Sequence, residues 1–245
     1  MLSIDLNADL GEHPNTDLDE RIMPYISSCN IACGGHIGDE ASVRRTIINA
    51  KKHIIEVGAH PSYPDKENFG RKIISISKGD LRRSLEAQIG LVKQICEEEN
   101  VHLHHVKPHG ALYNHAASDE SVSELILQVL QNIVPGVFWM GLAGSVTESV
   151  ARANDYPFIR EGFADRQYES DGKLRSRSFE GAVLQGDRVL EQVEELALNN
   201  RVKVDGWLPL KVQSICLHSD TKGAVTLARQ IREHLESKGV QITAV

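Results

Sequence analysis

The chain has 245 residues, 41% of them hydrophobic and 25% charged, enough apolar surface to fold without a disulfide or metal staple. Its formal net charge of -7, from 27 Lys plus Arg against 34 Asp plus Glu, lacks the basic footprint of a nucleic-acid binder. No run approaches the ~20 apolar residues of a membrane span, and the opening MLSIDLNADLGE has neither the basic nor the apolar region of a secretory signal. Cys29, Cys33, Cys96 and Cys216 are few and widely spaced, which suits reduced thiols. A cytoplasmic protein that contacts neither nucleic acid nor membrane is expected.

In chain order, β-rich runs at residues 2–7 and 25–31 come first. A helix over residues 40–53 follows, with Val43, Ile47 and Ala50 at helical spacing, and then a strand at 54–59. Residues 80–100 place Leu81, Leu85, Ile89, Val92 and Ile95 on one face, and Ser77 with Asp80 forms an N-terminal cap. A strand at 102–106 leads to a helix at 119–133 that carries Val122, Leu125, Ile126, Val129 and Leu130. Strands at 137–142 and 157–160, a helix at 187–198 and a strand at 212–217 come next. The last helix, 223–238, carries Val225, Ala228, Ile231 and Leu235 and stops at Gly239, a C-cap. Several strands read as apolar on both faces, as expected for helices outside and a packed core within.

Alternation without linker or repeat predicts one domain over residues 1–245, an α/β irregular TIM-like (β/α)7 barrel. An open doubly wound sheet is the runner-up. It is weakened because the first strand runs into Asp9 and Glu12 and not into a glycine-rich phosphate cradle.

Polar residues gather after the proposed strand ends: Asn7, Asp9 and Glu12; Asn30 and His36; His60; Lys107 and His109; Glu161, Asp165 and Arg166; His218, Ser219 and Asp220. In a barrel those ends converge on the face that carries active sites. Asp9, His60 and His109, with His36 nearby, could hold a divalent metal, Mg or Zn. Any one of these histidines alone reads first as a hydrogen-bonded loop or core residue, and it is as a set that they point equally to a metal or catalytic role; no HExxH or CxxC spacing adds weight. Lys107 and His109 share a face, so a cation could stabilise an oxyanion while an imidazole moves protons. With Asp9 they are the catalytic candidates. The loop at residues 162–178 carries Arg166, Lys173, Arg175 and Arg177, which suit either an anion clamp or a solvated charged surface. Cys29 and Cys33 read as buried and inert, His102, His104 and His105 as scaffold, and Trp139 and Trp207 as core or interface.

At these same positions the sequence resembles the LamB/YcsF family, the A subunits of prokaryotic 5-oxoprolinase. The resemblance rests on DLNADLGE at residues 5–12, NIACGGHIGD at 30–39, VGAHPSYPD at 57–65 with FGR at 69–71, HVKPHGALYN at 105–114, EGFADR at 161–166 and CLHSDT at 216–221. It runs nearly end to end and in order. It implies a barrel related to glycoside hydrolase and deacetylase barrels, and ATP-dependent opening of 5-oxo-L-proline to L-glutamate with B and C subunits. It also implies substrate contacts from Asn7, Asn30, His36, Arg166, Asp165 and His218. Three departures stand out: a short segment at residues 13–21, Gly35 where Phe is expected, and Ser62 where Gly is expected. The chain carries no GxxxxGK[ST] loop, so its use of ATP is expected to depend on partners. Beside this stand a metal-dependent amide hydrolase or deacetylase that needs no ATP, and a non-catalytic subunit that only binds. All three are compatible with a homo-oligomer.

Overall fold

The computed structural model describes residues 2–13, 17–218 and 223–245. In β1 (Leu2–Leu10), Ile4, Leu6, Ala8 and Leu10 join the hydrophobic core, while Asp5, Asn7 and Asp9 between them are equally buried. Successive residues of a strand point to opposite faces, so β1 has one apolar and one polar buried face.

The chain continues through α1 (Asp17–Ile22), β2 (Ser28–Ala32), α2 (Glu40–His53), β3 (Glu56–His60), α3 (Lys78–Glu98) and β4 (Leu103–Val106). It then forms α4 (Gly110–Ala116), α5 (Glu120–Ile133), β5 (Phe138–Leu142), α6 (Val146–Ala153) and β6 (Phe158–Phe163). The remainder is α7 (Asp187–Asn199), a hairpin of β7 (Arg201–Lys203) and β8 (Trp207–Pro209), β9 (Ser214–Leu217), α8 (Ala224–Ser237) and β10 (Val240–Ile242). Strands β1 to β6 pair in parallel in chain order, β9 follows β6, and β9 pairs back to β1. This is the expected closed seven-stranded α/β barrel. β10 adds beside the first residues of β1, beyond the closed ring. Among the described residues no helix is long and apolar enough to cross a membrane.

The contents of the barrel correct the expectation of an apolar interior. Asn7 on β1 hydrogen-bonds Glu161 on β6, and Asp9 on β1 pairs with Lys107 beyond β4. β1 pairs with neither β4 nor β6, so these contacts cross the lumen. Deeper, Ser27, Ser28 and Ser214 all donate to Asp5, and burial pushes its carboxyl pKa up. The apolar core lies instead between the strands and the surrounding helices, where helix faces such as Leu81, Leu85, Ile89 and Val92 pack.

Ser77 caps α3 by accepting from Asp80 N, and Gly239 (φ 77) closes α8, both as the sequence predicts. Residues 54–59 begin their strand only at Glu56, because Ile54 ends α2 in the left-handed region (φ 57). Residues 25–31 begin theirs at Ser28, since a 3-10 turn with Pro at its start occupies Met23–Tyr25. Trp139 is buried in the core, whereas Trp207 is half-exposed beneath Arg201, 4.0 Å from its ring centre.

Gly58 on β3 faces the lumen. A Cβ there would meet His105 Nε2 at 2.2 Å. His105 cannot turn aside without breaking its bonds to Asn30 (2.7 Å) and His104 (3.0 Å). We expect Gly58→Ala to cost about 1–3 kcal/mol or more, the range of overpacked cores. A urea midpoint equal to wild type would contradict this.

Candidate metal centre and catalytic cavity

The upper end of the barrel assembles from strand ends. β1 delivers Asp9, and a turn through Gly11 (φ 75) brings Glu12 to the same place. β3 ends on His60. Past β4, Lys107 N donates to Ala59 O and His109 N to Pro61 O, so the chain keeps its register beside β3. That register sets His109 against His60.

Asp9, Glu12, His60 and His109 are all buried and each offers one ligand atom within 4.8 Å of the others. The hydrogen bonds assign their protons. His60 Nδ1 lies 2.7 Å from Lys107 O, and His109 Nε2 lies 3.0 Å from Phe69 O. A carbonyl only accepts, so each of these nitrogens donates. Burial, with His60 and His36 nearby, lowers the His109 pKa to about 3, so its ring is neutral and its Nδ1 is a lone pair. His60 Nε2 and His109 Nδ1 face each other at 3.0 Å. Asp9 Oδ2 lies 3.4 Å from His60 Nε2, and Glu12 Oε1 lies 3.3 Å from His109 Nδ1. Two imidazole nitrogens and two carboxylates thus converge, a donor set that fits a divalent cation. His36 stacks on His109 with ring centres 3.7 Å apart and donates from Nε2 to Glu12 (2.9 Å), which orients that carboxylate. Burial lowers the His36 pKa to about 3 as well.

Lys107 Nζ sits 2.8 Å from Glu161, 3.0 Å from Asp9 and 3.1 Å from Cys216 Sγ. Burial alone would strip its proton, but Asp9, Cys216 and Glu161 hold its pKa well above the ordinary value. Burial likewise opposes ionisation of Asp9, but His60 and Lys107 hold its pKa well below the ordinary value. The centre therefore carries a fixed ammonium and a fixed carboxylate.

Above this floor opens a cavity of about 440 Å³. Asp9, His60, Lys107, His109, Arg166 and His218 line it, and Glu12 joins them. The other expected site residues lie behind its walls. Asn30 is fully buried and donates to Asn7 and Asp9 (2.8 Å each), while Asn7 donates to Glu161 and Ser214. His36 stands behind His109, and Asp165 stands behind His218, bonded to its Nδ1 at 2.8 Å. Lys173 and Arg177 reach the cavity, whereas Arg175 turns outward to Glu169 and Phe179. Ser219, Asp220 and Thr221 lie outside the described residues.

Glu12 is absent from the expected metal set, although its place three residues after Asp9 in the same strand-end loop is a usable signal. Tyr113 and Glu161 also lie outside the expected catalytic and binding residues. The Tyr113 ring lines the cavity, and Glu161 holds Lys107. Gly35 has a local reason: a Cβ there would meet Gln88 Oε1 at 2.3 Å and Ser62 Oγ at 2.4 Å. The four cysteines are free and buried, and burial pushes the Cys33 and Cys96 thiols up to about 12.

The depressed imidazoles predict an acid response. Histidine in an unfolded chain titrates near ~6.5. Between that value and about 3 the unfolded state binds protons that folded His36 and His109 refuse. Stability therefore rises with pH through this window and is lost as pH falls. In metal-free protein we expect unfolding free energy to drop below about pH 6.5, by up to about 1.4 kcal/mol per pH unit for each histidine. Denaturant titrations at several pH values check this, and a flat profile would contradict it.

Comparison with known proteins gives consistent matches. The LamB/YcsF family model matches residues 4–245. The A subunit of 5-oxoprolinase from Histophilus somni (strain 129Pt) is 40% identical, covering 100% of this chain and 99% of its own. That of Pyrococcus furiosus is 37% identical over 98% and 97%. The crystal structure of the lactam utilization protein from Thermus thermophilus superposes with a TM-score of 0.92, at 32% identity and full coverage of both chains.

Proposed function

The chain belongs to the LamB/YcsF family, and from that premise we propose that it opens the lactam ring of 5-oxo-L-proline to give L-glutamate, coupled to ATP hydrolysis and acting with B and C subunits. The relatives named as A subunits of 5-oxoprolinase support the substrate, and a name that makes them one subunit of an enzyme supports partners. The observation that carries the chemistry is the cation-ready Asp9, Glu12, His60 and His109 group facing the fixed ammonium of Lys107 across one cavity.

A lactam is an amide held in a five-membered ring, and reclosure competes with simple hydrolysis. Phosphorylation of the lactam oxygen creates a leaving group and an electrophilic carbon, which is what ATP would supply. A divalent cation bound by the four ligands would polarise that carbon's oxygen and activate water. Lys107 stabilises negative charge that develops on the substrate, and its position is fixed by Asp9 and Glu161. Arg166 binds the substrate carboxylate. Its own hydrogen bonds run to the carbonyls of Ala182 (3.3 Å) and Arg175 (2.6 Å), which aim the guanidinium without cancelling its charge. Without a GxxxxGK[ST] loop, nucleotide use draws at least in part on the partner subunits.

The test is glutamate release from 5-oxoproline by this chain alone and with B and C subunits, each with and without Mg-ATP. Release only with partners and ATP is the expected result. The buried Asp/Glu/His group also favours a second reading, a metal-dependent amide hydrolase that needs no ATP. Metal-dependent cleavage by the chain alone without ATP would select that reading.

A further inference from the structure

Resting on the lactam-opening reading, we infer that His218, positioned by Asp165, is the acid that protonates the ring nitrogen as the carbon–nitrogen bond breaks. An amide nitrogen does not leave as an anion. Its departure needs a proton delivered in the transition state, by a group within hydrogen-bond reach.

Of the donors that line the cavity, the guanidinium groups of Arg166 and Arg177 hold their protons too tightly to give one up, and burial beside Glu161 pushes the Tyr113 phenol well above its ordinary pKa. His60 and His109 each commit one N–H to the carbonyls of Lys107 and Phe69 and turn the other ring nitrogen to the cation-ready group. The Lys107 ammonium is crowded by Asn7, Asp9, Glu161 and Cys216, all within 3.3 Å. His218 is different. It lines the cavity with 15% of its side chain exposed, while Asp165 behind it is 1% exposed. Asp165 oxygens lie 2.8 and 3.1 Å from His218 Nδ1, which fixes that nitrogen as a donor to the carboxylate. No hydrogen bond to Nε2 occurs among the described residues.

Phe163 sets the spacing. His218 stacks on its ring at 5.6 Å and 22°, and Lys107 Nζ lies 5.6 Å from the same ring's centre. The dyad therefore stands one aromatic ring away from the ammonium that steadies the substrate oxygen. The charged groups around it are Asp165 and, at longer range, Asp9, Arg166 and Arg177. The buried carboxylate holds the ring by Nδ1 and leaves Nε2 as the nitrogen that passes the proton.

The step balances simply. Water has added to the ring carbon and given up one proton. The carbon–nitrogen electron pair passes to nitrogen, the Nε2 proton joins it, and neutral imidazole with a free amino group remains; the phosphoryl group stays on the former lactam oxygen as an acyl phosphate, which a second water hydrolyses to L-glutamate and inorganic phosphate. Solvent at the cavity mouth returns the proton to His218.

The discriminating experiment compares 5-oxoproline with its thiolactone analogue, in which sulfur replaces the ring N–H. A thiolate leaves without a proton. With B and C subunits and ATP, we expect His218→Gln to lose about 10²–10⁴-fold on the lactam but less than about tenfold on the thiolactone. Asp165→Asn should show the same selectivity, with a loss of at least about tenfold on the lactam. Equal losses on the two substrates in active preparations overturn the acid role and leave the lactam reading standing. A wild-type complex that releases no glutamate from 5-oxoproline overturns that reading, and the acid role with it.

Discussion

Replacing Lys107 by Met is expected to lower turnover of the assembled enzyme by about 10²–10³-fold, the scale seen when a preorganised charge at a developing oxyanion is removed. The same change should destabilise the chain by about 3–5 kcal/mol. The reason is the company Lys107 keeps. Its ammonium lies 3.0 Å from Asp9 and 2.8 Å from Glu161, and all three side chains are buried. Removing it leaves two carboxylates facing each other in a lumen without water-like screening. A double substitution separates the two effects. Adding Glu161→Gln removes one orphaned charge, so Lys107→Met with Glu161→Gln should recover about 0.5–3 kcal/mol over the additive sum. It should recover none of the activity. Chemical denaturation and turnover measured on the same four proteins check both parts. Full additivity of the stabilities would show that the pair is not coupled as its geometry demands.

The second large effect concerns the metal centre. The wild-type chain should bind one zinc ion and gain about 2.7 kcal/mol of stability when free metal is a hundredfold above its dissociation constant. His60→Ala removes a ligand and should lower zinc affinity by well over a hundredfold. His36→Ala removes only the group that orients Glu12, across 2.9 Å, and should cost about 10–100-fold. Calorimetric titration of metal-stripped protein reads all three. A wild type that takes up no zinc or other divalent ion would remove the centre from the mechanism. Equal affinities for wild type and His60→Ala would move the ion elsewhere.

The barrel is legible in the sequence because its helices have strong periodicity and clear punctuation. Leu81 to Ile95 and the cap at Ser77 are cases in point. α4 and α6 escape because seven or eight residues make barely two turns, too few for a period to show. The face carrying the site is legible too, since polar residues cluster after strand ends. Depth within the barrel is not. Asn7 and Asn30 read as substrate contacts, and in the fold both are fully buried and bond to each other, Asn30 also to Asp9 and Asn7 also to Glu161. Both flank a strand end in sequence, and only register along the barrel axis separates floor from wall. The sequence ends the first strand at Asn7 because Asp and Asn are poor strand formers in general. In β1 partners across the lumen offset that preference, so the strand runs on to Leu10.

β1 is bordered by three strands, β2, β9 and β10. Two of those neighbours come from the far end of the chain, with Asp5 opposite Ser214 and Leu2 opposite Val240. Such distant pairings must wait for loop closure, which slows folding. Until β9 arrives, one edge of β1 stays open and the acidic lumen stays wet. The pairing of β9 with β1 therefore both closes the barrel and shuts water out of Asp5 and Asn7. The barrel is a vessel whose lid and seam are sealed in the same event, and whose half-built form has an unpaired edge to offer to other chains.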